Sequence, residues 1–258
     1  HQAKKGTPTM GGILIALSFL VAMTIINQWT RPIIGVVSIT MIFFCIGLYD
    51  DWLSINRKKN KGLSARSKFI LQVVVSLIWL IGVHHFVQPM SVIEAIWFVF
   101  LLTGTSNATN LTDGLDGLLA TLMVISLAGL LLVVHSLGAY DFVGLIGVFV
   151  ASLVIFLFFN WHPAKLFMGD TGSLMCGAFL ASICILIGQW PLLIGLGAVY
   201  IIETLSVIIQ VISFKITSKR VFLMTPLHHH FELMGVKDQW IVLIFAIVQI
   251  ICTGIQVL

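Results

Sequence analysis

Hydrophobic positions in this chain come in long runs separated by short polar stretches, with no alternation of period two. Nine runs approach the roughly 20 residues that a membrane-crossing helix needs. They cover about residues 11–28, 32–48, 69–87, 92–104, 118–137, 142–159, 174–188, 192–214 and 240–258. A membrane barrel would alternate lipid-facing and lumen-facing residues, and helices are the other way to satisfy a backbone in lipid. The pattern therefore predicts an all-α, polytopic membrane helical bundle with nine transmembrane helices, forming a single membrane domain over residues 1–258.

Composition agrees. The chain is 59% hydrophobic and 9% charged, with a mean hydropathy of +1.09, whereas soluble domains are about 45–50% apolar and 25% charged. The charges also set a direction. With residue 1 inside and the sides alternating, thirteen of the fourteen Lys and Arg residues fall on the inner side and only Arg31 on the outer, as the positive-inside rule requires. All the longer polar loops, residues 1–10, 50–68, 105–117, 160–173 and 215–239, then share the cytoplasmic face. Cys45, Cys176, Cys184 and Cys252 lie in apolar runs without CxxC spacing and read as small buried hydrophobes. The first residues, Gln2-Ala3-Lys4-Lys5, do not resemble a signal peptide. With no initiator methionine, the chain is expected to start inside a longer protein.

Most of the candidate chemistry centres on Asn107-Ala108-Thr109-Asn110-Leu111-Thr112-Asp113-Gly114-Leu115-Asp116-Gly117. If this stretch is helical, Asn110, Asp113 and Asp116 share one face; as a bland connector it needs only its turn glycines. Asp50 and Asp51 end the second run, and Asp170 sits between glycines at the start of the seventh. There it suits a helix cap and equally a divalent metal, since Mg²⁺ takes one or two carboxylates plus phosphate oxygens and water. Lys4, Lys5, Thr7 and Thr9 beside glycines suit a phosphate and also read as a basic helix flank. Consecutive His228, His229 and His230 lack zinc-site spacing and, near Lys219 and Arg220, fit a diphosphate-binding surface. Glu203 lies roughly 15 Å inside its run at helical rise, with no basic partner evident in sequence. Together these residues suggest a Mg²⁺ site handling a phosphorylated substrate at the membrane surface.

The linked motifs Gly6-Thr7-Pro8-Thr9-Met10-Gly11-Gly12, Asp50-Asp51, Asn110-Leu111-Thr112-Asp113-Gly114-Leu115-Asp116-Gly117, Phe167-Met168-Gly169-Asp170, Glu203-Thr204-Leu205-Ser206 and Pro226-Leu227-His228-His229-His230 resemble the signatures of the phospho-N-acetylmuramoyl-pentapeptide transferases. These form a branch of the polyprenyl-phosphate N-acetylhexosamine-1-phosphate transferases. The resemblance implies transfer from UDP-N-acetylmuramoyl-pentapeptide to undecaprenyl phosphate, giving lipid I and UMP in peptidoglycan synthesis. It also implies Mg²⁺ as cofactor, a homodimer, and a bacterial plasma-membrane location with a cytoplasmic active site; it implies no nucleic-acid partner.

By matching positions, Asp50, Asp51 and Asp170 would be catalytic. Asp170 and Asp113 would hold the metal, and Asp50 would deprotonate or orient the lipid phosphate. Lys4, Thr9, Lys68, Asn110, Asp113, Asp116, Asn160, Phe167, Gly169, His228, His229 and His230 would bind substrate. The family has ten spans, so the first is expected to be missing here.

A direct in-line attack and a route through an aspartyl intermediate both remain open. A lipid acceptor also calls for an apolar groove opening sideways near the inner leaflet. A transferase using UDP-N-acetylglucosamine is the nearest rival, and an ion-coupled transporter the distant one.

Overall fold

The computed structural model describes residues 7–56 and 62–258. Among these the chain is helical, with no strand. The long helices are α1 (Gly12–Ile26), α2 (Arg31–Asn56), α3 (Ala65–Phe86), α4 (Val92–Thr112), α5 (Leu118–Ser136), α6 (Asp141–Asn160) and α7 (Gly169–Leu186). A 3-10 turn, Trp190–Leu192, and a single turn α8 (Leu193–Leu196) lead into α9 (Ala198–Thr217), followed by the short α10 (Leu227–Leu233) and α11 (Asp238–Val257). Eight of these helices are long and apolar enough to cross a membrane, and α1, with 15 residues, is a shorter apolar helix. The polytopic membrane bundle expected from the hydrophobic runs is therefore present, with α1 short of a full span.

The bundle is organised around α7. Every residue from Thr171 to Leu186 is buried, because α2, α4 and α1 pack around it. Close approach depends on small residues, as helix association in lipid generally does. At Gly47 of α2, an added Cβ would run into the Asp170 carbonyl, so a larger residue there would push α2 away from the start of α7.

The fourth helix, expected to extend beyond its apolar run of residues 92–104, continues to Thr112, and the hydroxyls of Thr103, Thr109 and Thr112 are satisfied on carbonyls within it. Two expectations need correction. The helix then stops, so Asn110, Asp113 and Asp116 do not share a helical face. Asp113 is its C-cap residue, and the turn that follows ends at Gly117 with φ 77°, a conformation that favours glycine. The expected eighth span is divided at Gly197, where the helical path breaks between α8 and α9.

Candidate active site

At one end of the bundle, the C-terminal parts of α2 and α4 meet the N-termini of α3 and α7. The start of α7 has unsatisfied backbone N–H groups, and Asp51 of α2 serves them. Its Oδ1 accepts from the Asp170 amide at 3.2 Å, and its Oδ2 accepts from the Thr171 amide at 3.0 Å and the Thr171 hydroxyl at 2.5 Å. A carboxylate against a helix N-terminus is also favoured by the helix dipole. Asp51 thereby fixes the first turn of α7 and the backbone that carries Asp170.

Asp170 itself points at Lys68. The Lys68 ammonium donates to Asp170 Oδ2 and, at 3.1 Å, to Asp50 Oδ2. Asp50 Oδ1 accepts from the Leu63 amide at 2.6 Å, and Asp170 Oδ1 accepts from Asn110 Nδ2 at 2.7 Å. Asn110 also donates to the Ser173 hydroxyl at 2.9 Å. One ammonium thus joins two partly buried carboxylates from different helices, and the trio carries a net negative charge when all three are ionised.

Beside this trio lies a cavity of about 280 Å³ lined by Thr9, Asn110, Asp113, Asp116, Asn160, Phe167, Gly169 and Asp170, with Gly114 and Leu115 from the turn. Eight of the residues expected to bind substrate or metal therefore line one chamber. Its walls are tied together by backbone and amide bonds. Phe167 N donates to Pro8 O, and Gly11 N donates to Phe167 O, which pins the N-terminal loop to the α6–α7 loop. Asn160 Oδ1 accepts from Gly117 N at 3.0 Å while its Nδ2 donates to Leu166 O at 2.9 Å. Asp116 Oδ2 accepts from the Ala164 amide at 3.1 Å and lies 3.2 Å from His162 Nδ1. A second, larger cavity of about 500 Å³ shares Asp116 and Phe167 with the first and adds Thr7, His162, His229 and Glu232.

The three histidines part company. His228 is fully buried, and both its backbone N–H and its Nδ1 lie 3.2 Å from Glu203 Oε1, so Glu203 has the partner its sequence context did not reveal. The opposite edge of the His228 ring, at Nε2, lies against Gly114 of the chamber turn. His229 pairs with Glu232 at 2.5 Å and lines the second cavity. His230 Nδ1 accepts from the Leu223 amide at 3.1 Å. Lys4, with Lys5, Arg57, Lys58, Lys59 and Lys61 of the charge pattern, lies outside the described residues.

Sequence reading missed the Leu63 amide, which donates to Asp50, and Ser173, whose hydroxyl accepts from the Asn110 amide that also donates to Asp170. Ser173 follows Asp170 by one helical turn, a spacing that could have revealed it. No sequence signal marks a backbone amide. It also missed the second polar layer one turn deeper, where Asn107 Nδ2 donates to Gln72 Oε1 at 2.6 Å.

Among the described residues, no three His, Cys, Asp or Glu side chains are grouped to hold a metal by themselves. The donor set nevertheless fits Mg²⁺, which binds through one or two carboxylates and completes its shell with substrate phosphates and water. Asp113 and Asp170 line the same chamber.

The chain is an all-helical membrane bundle with a carboxylate-lined chamber at one end, and its residues 33–188 match the family model of glycosyl transferase family 4. Residues 4–15 match signature 1 of phospho-N-acetylmuramoyl-pentapeptide-transferase. Proteins of that name are similar over nearly the whole chain. One from Shouchella clausii is 43% identical across 97% of this chain and 82% of its own length. Another, from Staphylococcus saprophyticus, is 40% identical across 99% of this chain and 85% of its own. A third, from Bacillus licheniformis, is 41% identical across 95% and 81%. The chain belongs to the phospho-N-acetylmuramoyl-pentapeptide-transferase family.

Proposed function

We propose that this chain transfers phospho-N-acetylmuramoyl-pentapeptide from UDP-N-acetylmuramoyl-pentapeptide to undecaprenyl phosphate, forming lipid I and releasing UMP. The observation that supports it most is Lys68 bridging Asp50 and Asp170 at the edge of the chamber. An oxygen of the lipid phosphate attacks the sugar-linked phosphorus in line, and the bond from that phosphorus to the oxygen retained by UMP breaks. Asp50 accepts the proton of a monoprotonated lipid phosphate. Lys68 offsets charge on the attacking phosphate, a stabilisation that is strong where water is excluded. Asn110 and Ser173 keep Asp170 turned toward the chamber.

Asp170 and Asp113 would hold Mg²⁺ against the diphosphate. When bound, the ion neutralises the charge that builds on the leaving UMP.

The lipid chain needs an apolar path that reaches this end. A groove of about 380 Å³ runs along α4 from Trp97 to Ala108, against Ile194, Tyr200 and Ile208 of α8 and α9. Its end at Ala108 lies at the same level of α4 as Asn110, which lines the chamber from the other side of that helix, and we place an occupant's phosphate at that level. We take this groove as the seat of the polyprenyl chain, the active-site end as cytoplasmic on the distribution of basic residues, and the working unit as a homodimer in a bacterial plasma membrane, as the family suggests.

Release of UMP from UDP-N-acetylmuramoyl-pentapeptide, measured with undecaprenyl phosphate present or absent, tests the reading. Acceptor-dependent release that Asp170→Asn abolishes would support it. Equal activity with UDP-N-acetylglucosamine as donor would overturn it in favour of a different sugar-phosphate transferase.

A further inference from the structure

In a continuous helix, the Val199 amide would donate to the Gly195 carbonyl four residues back. Here Gln249 of α11 is inserted into that rung. Its Oε1 accepts from Val199 N at 3.1 Å, and its Nε2 donates to Gly195 O at 3.1 Å and Leu196 O at 2.8 Å. Ser126 of α5 donates to the same Leu196 carbonyl at 2.6 Å. A side chain inserted into the ladder is a recognised cause of a helix kink, and free backbone groups at such depth are costly unless they are paired. Gln249 is fully buried, and none of its hydrogen-bond partners lines the active-site chamber.

The break it holds is part of the wall of the apolar groove. Gly197, at the break, lines the groove together with Ile194 and Ile201 on either side, facing Phe100 and Gly104 of α4. The course of that wall therefore depends on a hydrogen-bonding group behind it, on the face turned away from the groove. Resting on the groove assignment made above, we infer that Gln249 is a positioning residue for the lipid acceptor, which sets the groove's width at the level of Gly197 and with it the fit of a long polyprenyl chain.

Chain length supplies the test. Ile208 to Gly197 spans eleven residues, roughly 16 Å at helical rise, so undecaprenyl phosphate passes the break while geranyl phosphate, with two isoprene units, ends short of it. The nearly isosteric Gln249→Met removes all three backbone contacts. Assayed in the full chain reconstituted in lipid, it lowers kcat/KM for undecaprenyl phosphate roughly tenfold, on the scale of a lost buried hydrogen-bond set. The loss appears in KM, while geranyl phosphate turnover and KM for the UDP-sugar stay unchanged.

A loss that is equal for both acceptors, or no loss at all, overturns the inference. If Gln249→Met does not fold, Ser126→Ala weakens the same lock and carries the same selective signature at smaller size. Ile194→Trp, which fills the groove directly, separates the two levels of argument. Selectivity in that variant but not in Gln249→Met refutes the role of Gln249 alone; selectivity in neither refutes the groove assignment as well.

Discussion

Glu203 and His228 face each other across 3.2 Å with no solvent reaching either, although α9 carries one and α10 the other. The pair joins the membrane part of the bundle to the short helix that lines the second cavity, and the His228 ring abuts Gly114 in the chamber turn. Removing one partner leaves the other buried and polar. Glu203→Ala is expected to cost about 3 kcal/mol of stability, and Glu203→Gln clearly less, because its amide oxygen still accepts from His228. Thermal unfolding of both variants in detergent checks the order, and equal loss would refute the pairing.

Lys68 is the single cation between Asp50 and Asp170 among the described residues. Lys68→Met leaves the two carboxylates facing each other without it, and turnover should fall by about 100-fold or more, as when a preorganised electrostatic contact is deleted. Lys68→Arg keeps the charge and should recover part of the rate. UMP release under saturating substrates reads both.

Asp50 and Asp51 are neighbours with different work. Asp51→Ala removes the cap on α7 and should lower stability by about 1–2 kcal/mol as well as slowing turnover, since the Asp170 backbone loses its anchor. Asp50→Asn should leave stability nearly unchanged and slow turnover by roughly 100-fold or more, the range for a lost general base. Equal stability losses in the two variants would contradict this division.

Metal removal gives a separate check on the chamber. A chelator should abolish UMP release and added Mg²⁺ restore it, and Asp113→Asn should raise the Mg²⁺ concentration needed for half-maximal rate by roughly tenfold. An unchanged Mg²⁺ requirement in that variant would exclude Asp113 from the metal's surroundings.

Asn160 braces two loops and also lines the chamber. Asn160→Ala should raise KM for the UDP-sugar by about tenfold, as expected for two buried hydrogen bonds lost, with a smaller effect on kcat. Initial rates across donor concentration separate the two parameters.

Much of the molecule was legible before its coordinates. The hydrophobic runs gave the helices, and the polar loops that the charge pattern gathers on one side supply nearly all of the chamber. What was hidden depends on contacts between distant segments. Asp51 capping α7 joins residues more than one hundred positions apart, so sequence offered Asp51 as a catalytic acid beside Asp50 and gave no sign of the cap. The pairing of Glu203 with His228 was hidden in the same way. The break at Gly197 left no trace because the residues on both sides are apolar, and the polar group that stabilises it sits on α11. Where α4 ends was left open in the sequence, because its threonines and asparagines suit a loop as well as a helix until their carbonyl bonds are seen.

The burial of α7 separates two mechanical regimes. Lipid touches the outer helices, which must tilt or slide when the bilayer thickens, thins or changes composition. Asp170 stands on a column shielded from direct contact with lipid by its neighbours, so its backbone is held while the periphery adjusts. A fluid, variable solvent can therefore surround the bundle without touching the helix on which Asp170 stands.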